Sequence, residues 1–211
     1  MFSIKESIKY GWEKTKENME LIFLITLFIL IIESLTGSFN GQEKNLYIQI
    51  IGLVSTILMV ILKIGYNKIL LKIYDGEKTK FGEIFDEYKT FWRYLGVSLL
   101  YPLTILAGLF LLIVPGVIWA VRFSFSPIIV VDTKLGPITA MKESYAISKG
   151  SYWQLFLFWL VIAIINFVGL IFFGIGLLLT IPISTIAYIK IYRELSQKKA
   201  ALLQTVSPQT T

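Results

Sequence analysis

The chain has 211 residues, of which 55% are hydrophobic, 15% are aromatic and only 16% are charged. A soluble domain carries roughly 25% charged residues, so this chain has too few polar side chains to cover its own surface. The composition therefore excludes a disordered chain and a soluble domain, and it predicts a polytopic membrane protein. The net charge of +6 favours anionic phospholipid headgroups as partners, and we expect no nucleic-acid partner.

The chain contains neither Cys nor His. It therefore lacks thiolate nucleophiles, thiolate metal sites, the commonest metal ligand and the side chain that titrates most readily near neutral pH. These absences exclude zincin motifs, Ser-His-Asp triads and His-dependent phosphodiesterase chemistry. We expect no enzymatic activity, no metal and no cofactor.

Six apolar stretches are predicted as membrane-spanning helices of an all-α bundle. They cover about residues 18–36, 46–71, 94–114, 117–131, 153–170 and 177–192. The fourth stretch is short, so it is either a full span or part of a broken third helix. Residues 1–195 then form one integral membrane domain, and residues 196–211 form a polar C-terminal tail.

Two turns between predicted spans contain glycine. Pro115 and Gly116 are typical of a helix stop and turn after the third stretch, and Gly174 and Gly176 mark a tight break before the sixth. Glycine also permits close approach of neighbouring helices, so we expect a structural role and no chemistry at these positions.

The distribution of Lys and Arg favours six spans. With six spans, Lys44 is the only loop cation outside, whereas a single crossing of residues 94–131 would put the basic C-terminal segment outside. We predict a multi-pass protein of the plasma membrane with both termini in the cytoplasm.

Three basic, amphipathic segments precede three pairs of predicted spans. We expect them to lie in the headgroup plane, with their apolar sides towards the acyl chains and their lysines towards anionic lipid. The repeated unit suggests three pseudo-repeated helical hairpins. The alternative is that basic loops and interfacial aromatic residues are ordinary features of membrane proteins. The apolar stripes are Ile4, Ile8 and Trp12; Phe81, Ile84, Phe85 and Tyr88; and Ile138, Met141, Tyr145 with Ser148.

The order of motifs in the central and C-terminal part resembles a widespread group of prokaryotic six-span membrane proteins of unknown function. This group includes the membrane domain attached to some glycerophosphodiester phosphodiesterases and related stand-alone proteins. The resemblance implies fold and location only. Because the chain has no His and no attached phosphodiesterase domain, we do not expect it to hydrolyse glycerophosphodiesters. The motifs are residues 112–118, 122–125, 130–132, 140–144, 149–150, 153, 156, 174–176, 182 and 192.

Four polar residues within the predicted spans are candidate ion-pairing or functional positions. Arg122 is expected to point into the bundle or at an anion, since a cation near mid-helix costs about 2.5–3.5 kcal/mol on insertion scales. Glu33 is a depth-matched partner, so a Glu33–Arg122 pair could fix packing, bind a lipid phosphate or line a pathway. Lys63 can extend its ammonium to the headgroups, and Asn166 is expected to hydrogen-bond between helices.

Asp132, Lys142, Ser144 and Lys149 lie in the predicted cytoplasmic segment between the fourth and fifth spans. They are either an ordinary solvated surface or a contact surface for lipid headgroups or a partner protein. Asp132 could also cap a helix or pair with Lys134.

The leading functional hypothesis is a non-enzymatic membrane protein that associates with lipid, a partner membrane protein or its own copies. Envelope maintenance or stress tolerance would be its role. The alternative is a small transporter, channel or lipid translocator with a polar path near Arg122. A continuous polar cavity that reaches Arg122 would favour this alternative.

Overall fold

The computed structural model describes residues 2–39, 46–171 and 175–206, with side chains for residues 2–34, 46–171, 175–202 and 204. Within these ranges the fold is all-helical, with nine α-helices and two short 3₁₀ helices. The α-helices are α1 Ile4–Glu17, α2 Met19–Phe39, α3 Leu46–Tyr74, α4 Phe91–Leu111, α5 Ile113–Arg122, α6 Ser126–Thr133, α7 Pro137–Ile147, α8 Tyr152–Ile171 and α9 Leu177–Val206; the 3₁₀ helices are Phe81–Phe85 and Tyr88–Thr90.

Three stretches of helix carry mostly exposed apolar side chains. We call residues 46–61, 99–114 and 157–171 the lipid-facing arms. At the tip of one arm, Phe110 is 94% exposed, and Leu112 and Ile113 are 70% and 73% exposed. Apolar patches larger than a few hundred Å² are rare on soluble monomers, so these surfaces face the bilayer.

The opposite end of the molecule has a densely buried interior. We call residues 62–73, 125–131 and 186–195 the basal core. At 29 and 30 residues, α3 and α9 exceed the roughly 20 residues that a span needs. The second half of α3 and the middle of α9 enter this core. The buried side chains include Leu62, Ile64, Ile69, Leu70, Leu71, Ile73, Phe125, Ile129, Val130, Val131, Ile186, Ile189 and Ile191.

The α4/α5 hairpin turns at Leu112, whose extended backbone (φ −167°, ψ 151°) separates the two helices. The turn therefore lies before the predicted Pro115–Gly116 position. Both residues belong to the start of α5, where proline is tolerated because the first N–H groups need no helical acceptor. Gly116 is buried against Gly108 of α4, and an added Cβ would overlap Leu109.

The α8/α9 hairpin uses a similar close approach. An added Cβ on Gly176 would overlap the backbone of Gly169 in α8. Gly174, the other predicted turn residue, lies outside the described residues.

The predicted fourth span is broken into α5 and α6. Pro127 lies at the start of α6, and the Ser124 and Ser126 hydroxyls bond the carbonyls of Val121 and Phe123 at 2.8 and 2.6 Å. Helix α5 has 10 residues, which is about 15 Å, or half of the hydrocarbon thickness. Helix α6 lies in the basal core.

Four helical segments of the described chain are long and apolar enough to cross a membrane. Helix α9 is not among them because its first 18 residues already carry three charged side chains, Lys190, Arg193 and Glu194. The count of six spans thus stays a prediction. Helix α9 continues to Val206 and so includes the first part of the predicted polar tail, residues 196–211. The four segments are Leu46–Tyr74, Phe81–Leu111, Ile113–Thr133 and Tyr152–Ile171.

Helix α1 packs antiparallel to α9 through its small residues. Ser7, Gly11 and Thr15 are buried, and an added Cβ on Gly11 would overlap the Ile183 carbonyl oxygen. Of the predicted stripe, Ile4 and Ile8 are partly buried and pack against the core, whereas Trp12 is 52% exposed.

Helix α7 repeats this arrangement. Its buried residues are Ala140, Ser144 and Ile147. Of the predicted stripe, Ser148 is buried and Met141 packs against the core, whereas Ile138 and Tyr145 are 63% and 41% exposed. The second predicted segment forms the two 3₁₀ helices, in which Ile84 alone of the stripe is fully buried. Small residues, which allow close backbone approach, line the packed face of α1, and Ala140 and Ser144 contribute to that of α7.

Candidate functional site

Arg122 ends helix α5 at the edge of the basal core. Its guanidinium carbon lies 4.6 Å from the centre of the Tyr145 ring on α7, which is a cation–π contact. Its Nε is buried and has no acceptor among the described residues. The position at the C-terminus of α5 is also favourable for a cation, because the helix dipole is negative there.

Ser144 holds the break between α5 and α6 in place. Its hydroxyl donates to the Arg122 carbonyl at 2.7 Å and accepts from the Phe125 N–H at 3.1 Å. The Ser148 hydroxyl lies 3.2 Å from the same carbonyl. Because Ser144 is fully buried, it is not available for the predicted lipid or partner contact.

Two exposed lysines flank the Arg122–Tyr145 contact. Lys142 lies one turn before Tyr145 on α7, and Lys149 follows the end of that helix. We call Arg122, Lys142, Tyr145 and Lys149 the cationic face. Trp153, the second residue of α8, is 71% exposed and is the next exposed aromatic residue along the chain.

Asp132 belongs to an ion-pair cluster that joins three helices. Arg193 of α9 donates from Nη1 to one Asp132 oxygen at 2.8 Å and from Nη2 to the other at 3.1 Å. The same Nη2 lies 2.7 Å from Asp75, which follows the end of α3. Burial lowers the pKa of Arg193, but Asp132 and Asp75 outweigh this effect, so the pKa is raised above its ordinary value.

This cluster removes Asp132 from the predicted contact surface. The Asp132 side chain is 12% exposed and accepts a third bond from the Tyr192 hydroxyl at 2.8 Å. Lys134, the alternative partner, pairs instead with Glu87 at 3.2 Å.

Glu33 and Arg122 do not pair. Glu33 lies 3.4 Å from Lys63 Nζ, and both side chains are about half exposed, at 53% and 49%. Lys63 lies at the start of the basal core in α3. The pair borders a cavity of about 140 Å³ between α2, α3 and α9.

Asn166 links α8 to α9, as expected for an interhelical hydrogen bond. Its side-chain oxygen lies 3.5 Å from the Ser184 hydroxyl. Both residues line a cavity of about 150 Å³ that also borders Trp159 and Tyr188. In the described ranges, no group of three or more Asp or Glu is placed to hold a metal ion.

Two important residues, Tyr145 and Arg193, were absent from the predicted set. Tyr145 was assigned to a lipid-facing stripe, and Arg193 belongs to the basic C-terminal segment that six spans would place in the cytoplasm. An arginine at the end of a long apolar run predicts a carboxylate partner, and this signal could have found Arg193. The sequence has no comparable signal for the stacking of Tyr145 on Arg122.

Residues 93–210, more than half of the chain, match a family model described as a domain of unknown function, DUF7847. A UPF0259 membrane protein of Pectobacterium carotovorum subsp. carotovorum (strain PC1) is 34% identical over 93 residues, which are 44% of this chain and 37% of that protein. No solved structure matches the chain. Together with the four apolar helices, these matches identify a membrane protein that belongs to the DUF7847 family of unknown function.

Proposed function

We propose that this chain is a non-enzymatic, multi-pass plasma-membrane protein that binds anionic phospholipid headgroups on its cationic face. Both termini then lie in the cytoplasm, on the side of the basal core. A role in envelope maintenance or stress tolerance is part of the proposal. Relationship to the membrane domain of glycerophosphodiester phosphodiesterases rests on the motif order alone.

The observation that carries the proposal is the Arg122–Tyr145 contact. The ring covers one face of the guanidinium, and the neighbouring α6, α7 and α8 segments supply no carboxylate to it. A planar guanidinium held in this way suits the oxygens of a phosphate group. Lys142 and Lys149 have no ion pair within the described chain, and Glu143 between them in sequence pairs with Lys199 at 2.6 Å.

The cationic face should contribute appreciably to the free energy of binding to anionic lipid. A basic residue near an anionic leaflet contributes about 1 kcal/mol, so Arg122, Lys142 and Lys149 together supply roughly 3 kcal/mol. The exposed ring of Tyr145 suits the headgroup region, where amphipathic aromatic side chains are enriched.

Transport is the second hypothesis, and the cavities support it less well. Arg122 borders neither the cavity at Asn166 nor the cavity at Glu33 and Lys63. The two cavities are small, and α9 contributes Ile181 to both. A polar path near Arg122 would have to connect to one of them.

The test is the retention of phosphatidylglycerol by the full chain after purification in mild detergent. The triple variant Arg122→Gln, Lys142→Gln, Lys149→Gln is expected to retain at least tenfold less phosphatidylglycerol than the unmodified chain. The control is Lys78→Gln, Lys80→Gln, Lys198→Gln, which removes the same charge from other exposed positions. Equal losses in the two variants would contradict a specific cationic face.

A further inference from the structure

The cavity beside Glu33 and Lys63 is not used by the proposed function. It holds about 140 Å³ and has apolar walls formed by Ile29, Leu30 and Ile181. Pockets for drug-sized ligands begin at roughly 300 Å³, whereas a water molecule takes about 30 Å³. The space therefore suits a small polar group and excludes a whole lipid.

Two buried hydroxyls line this cavity without a partner. Thr26 is 3% exposed and Tyr66 is 9% exposed, and neither hydroxyl makes a hydrogen bond within the described residues. Tyr66 lies near Thr26 and Thr185, but their geometry does not satisfy it. An unsatisfied buried hydroxyl is costly, so a polar occupant is expected.

The mouth of the cavity carries one charge of each sign. Glu33 and Lys63 are 3.4 Å apart and half exposed, so each can accept a second partner. Exposed apolar residues lie on the same two helices, with Leu27 and Ile31 on α2 and Ile57 on α3. Lys63 lies in α3 where the lipid-facing arm meets the basal core.

We propose that this cavity binds the headgroup of a phospholipid that carries a primary amine, such as phosphatidylethanolamine. The phosphate accepts hydrogen bonds from Lys63 and from the Tyr66 and Thr26 hydroxyls. The ammonium group donates to the Glu33 carboxylate. The acyl chains remain outside, along the exposed apolar surfaces of α2 and α3.

The Glu33–Lys63 pair should favour the headgroup of phosphatidylethanolamine over those of phosphatidylcholine and phosphatidylglycerol. The quaternary amine of phosphatidylcholine has no N–H to donate to Glu33, and it is larger. Phosphatidylglycerol has no cation for Glu33, so the carboxylate would repel an unpaired anion. The site is separate from the cationic face and has a different ligand, so each proposal can fail without the other.

The test is native mass spectrometry of the full chain in mild detergent, with each of the three phospholipids added separately. We expect phosphatidylethanolamine to bind at least tenfold more tightly than phosphatidylcholine or phosphatidylglycerol. Glu33→Gln and Lys63→Met should each abolish most of this preference. The double variant Lys9→Met, Glu13→Gln, which removes an exposed ion pair of α1, is the matched control and should keep it.

Thr26→Val removes a cavity hydroxyl while it keeps the ion pair and the side-chain shape. It should weaken phosphatidylethanolamine binding without lowering the unfolding temperature, which separates ligand loss from misfolding. Equal binding of the three lipids, absence of any bound lipid, or an unchanged preference in Lys63→Met would overturn the proposal.

Discussion

Two segments of this protein are equally apolar but face different surroundings. The most apolar windows of Phe81–Leu111 and Ile113–Thr133 have mean hydropathies of 1.9 and 1.8, yet 11% and 44% of their residues are buried. The first includes a lipid-facing arm, whereas the second passes through α6 into the basal core. The apolar side chains of the first segment thus mostly face lipid, whereas many of those in the second segment are buried in the protein interior.

The two regions are also held together differently. Two of the arms end at the α4/α5 and α8/α9 hairpins, where glycines allow close backbone contact. The exposed apolar surfaces of the arms face lipid. The basal core is stabilised as a soluble domain is, by side-chain burial and by the ion-pair cluster of Arg193. The buried Ser144 hydroxyl, which bonds to the backbone of Arg122 and Phe125, also contributes, and we call this pair of bonds the serine bridge. Mutations should therefore be costly in the core and mild in the arms.

Truncation of one apolar side chain in each region tests this contrast most strongly. Ile129 in the core is fully buried, and Leu103 in an arm is 59% exposed. Ile129→Ala should lower the free energy of unfolding by about 2–5 kcal/mol through lost burial and a cavity. Leu103→Ala should cost less than about 1 kcal/mol, since this side chain contacts an apolar medium before and after unfolding. SDS titration in mixed micelles measures both, and similar losses would refute the contrast.

The second-largest loss of stability is expected at Gly65 in α3, which lies against the backbone of Ile84. An added Cβ on Gly65 would overlap the backbone of Ile84, whereas Gly82 has open space around its Cα. Gly65→Ala should cost about 3 kcal/mol, because the overlapping atoms are backbone and cannot rotate away. Gly82→Ala is the control and should unfold at nearly the same temperature as the unmodified chain. A stable Gly65→Ala variant would show that the 3₁₀ helix does not pack against α3.

The ion-pair cluster should have a smaller effect. Asp132→Asn leaves Arg193 with Asp75 as its carboxylate partner, and the Arg193 side chain is 24% exposed. We expect a loss of about 2 kcal/mol, below the 3–5 kcal/mol seen for fully buried pairs. Asp86→Asn, an exposed site, is the comparison. Equal unfolding temperatures for the two variants would mean that the cluster does not stabilise the core.

The serine bridge gives the smallest of the four effects. Ser144→Ala removes both bonds across the α5/α6 break and should cost about 1–2 kcal/mol. Thr139→Ala changes an exposed residue of the same helix and should cost less. Thermal unfolding in detergent followed by circular dichroism is sufficient, and a neutral Ser144→Ala would argue against the bridge.

Local sequence patterns predicted most helices but not their surroundings. The bounds of α2, α3, α4 and α8 lie close to predicted spans because each is a continuous apolar run. The α5/α6 break was not predicted, because the fourth stretch was expected to be a full span or part of a broken third helix. Pro127 permits a break without requiring one. No local pattern distinguishes a helix that is buried in protein from one that faces lipid.

The candidate site was harder to predict because its partners are distant in sequence. Glu33 was predicted as the partner of Arg122 because the two residues lie at similar depths in their helices. Contacts also depend on which helices are neighbours, and the neighbour of Glu33 is Lys63. Asp132 and Arg193 are 61 residues apart. The packed face of α1 was missed because Ser7, Gly11 and Thr15 are weakly apolar, although their spacing of four is a signal for close helix packing.

The most direct test of the central claim uses the absence of native Cys, which allows single nitroxide labels at chosen positions. We would label Leu103→Cys and Phe110→Cys in the arm, and Lys78→Cys and Thr139→Cys on the basal side, in proteoliposomes. The account predicts that oxygen relaxes the arm labels more than a water-soluble nickel complex does, and that the basal labels show the reverse. Arm labels that respond mainly to the nickel complex would contradict the account.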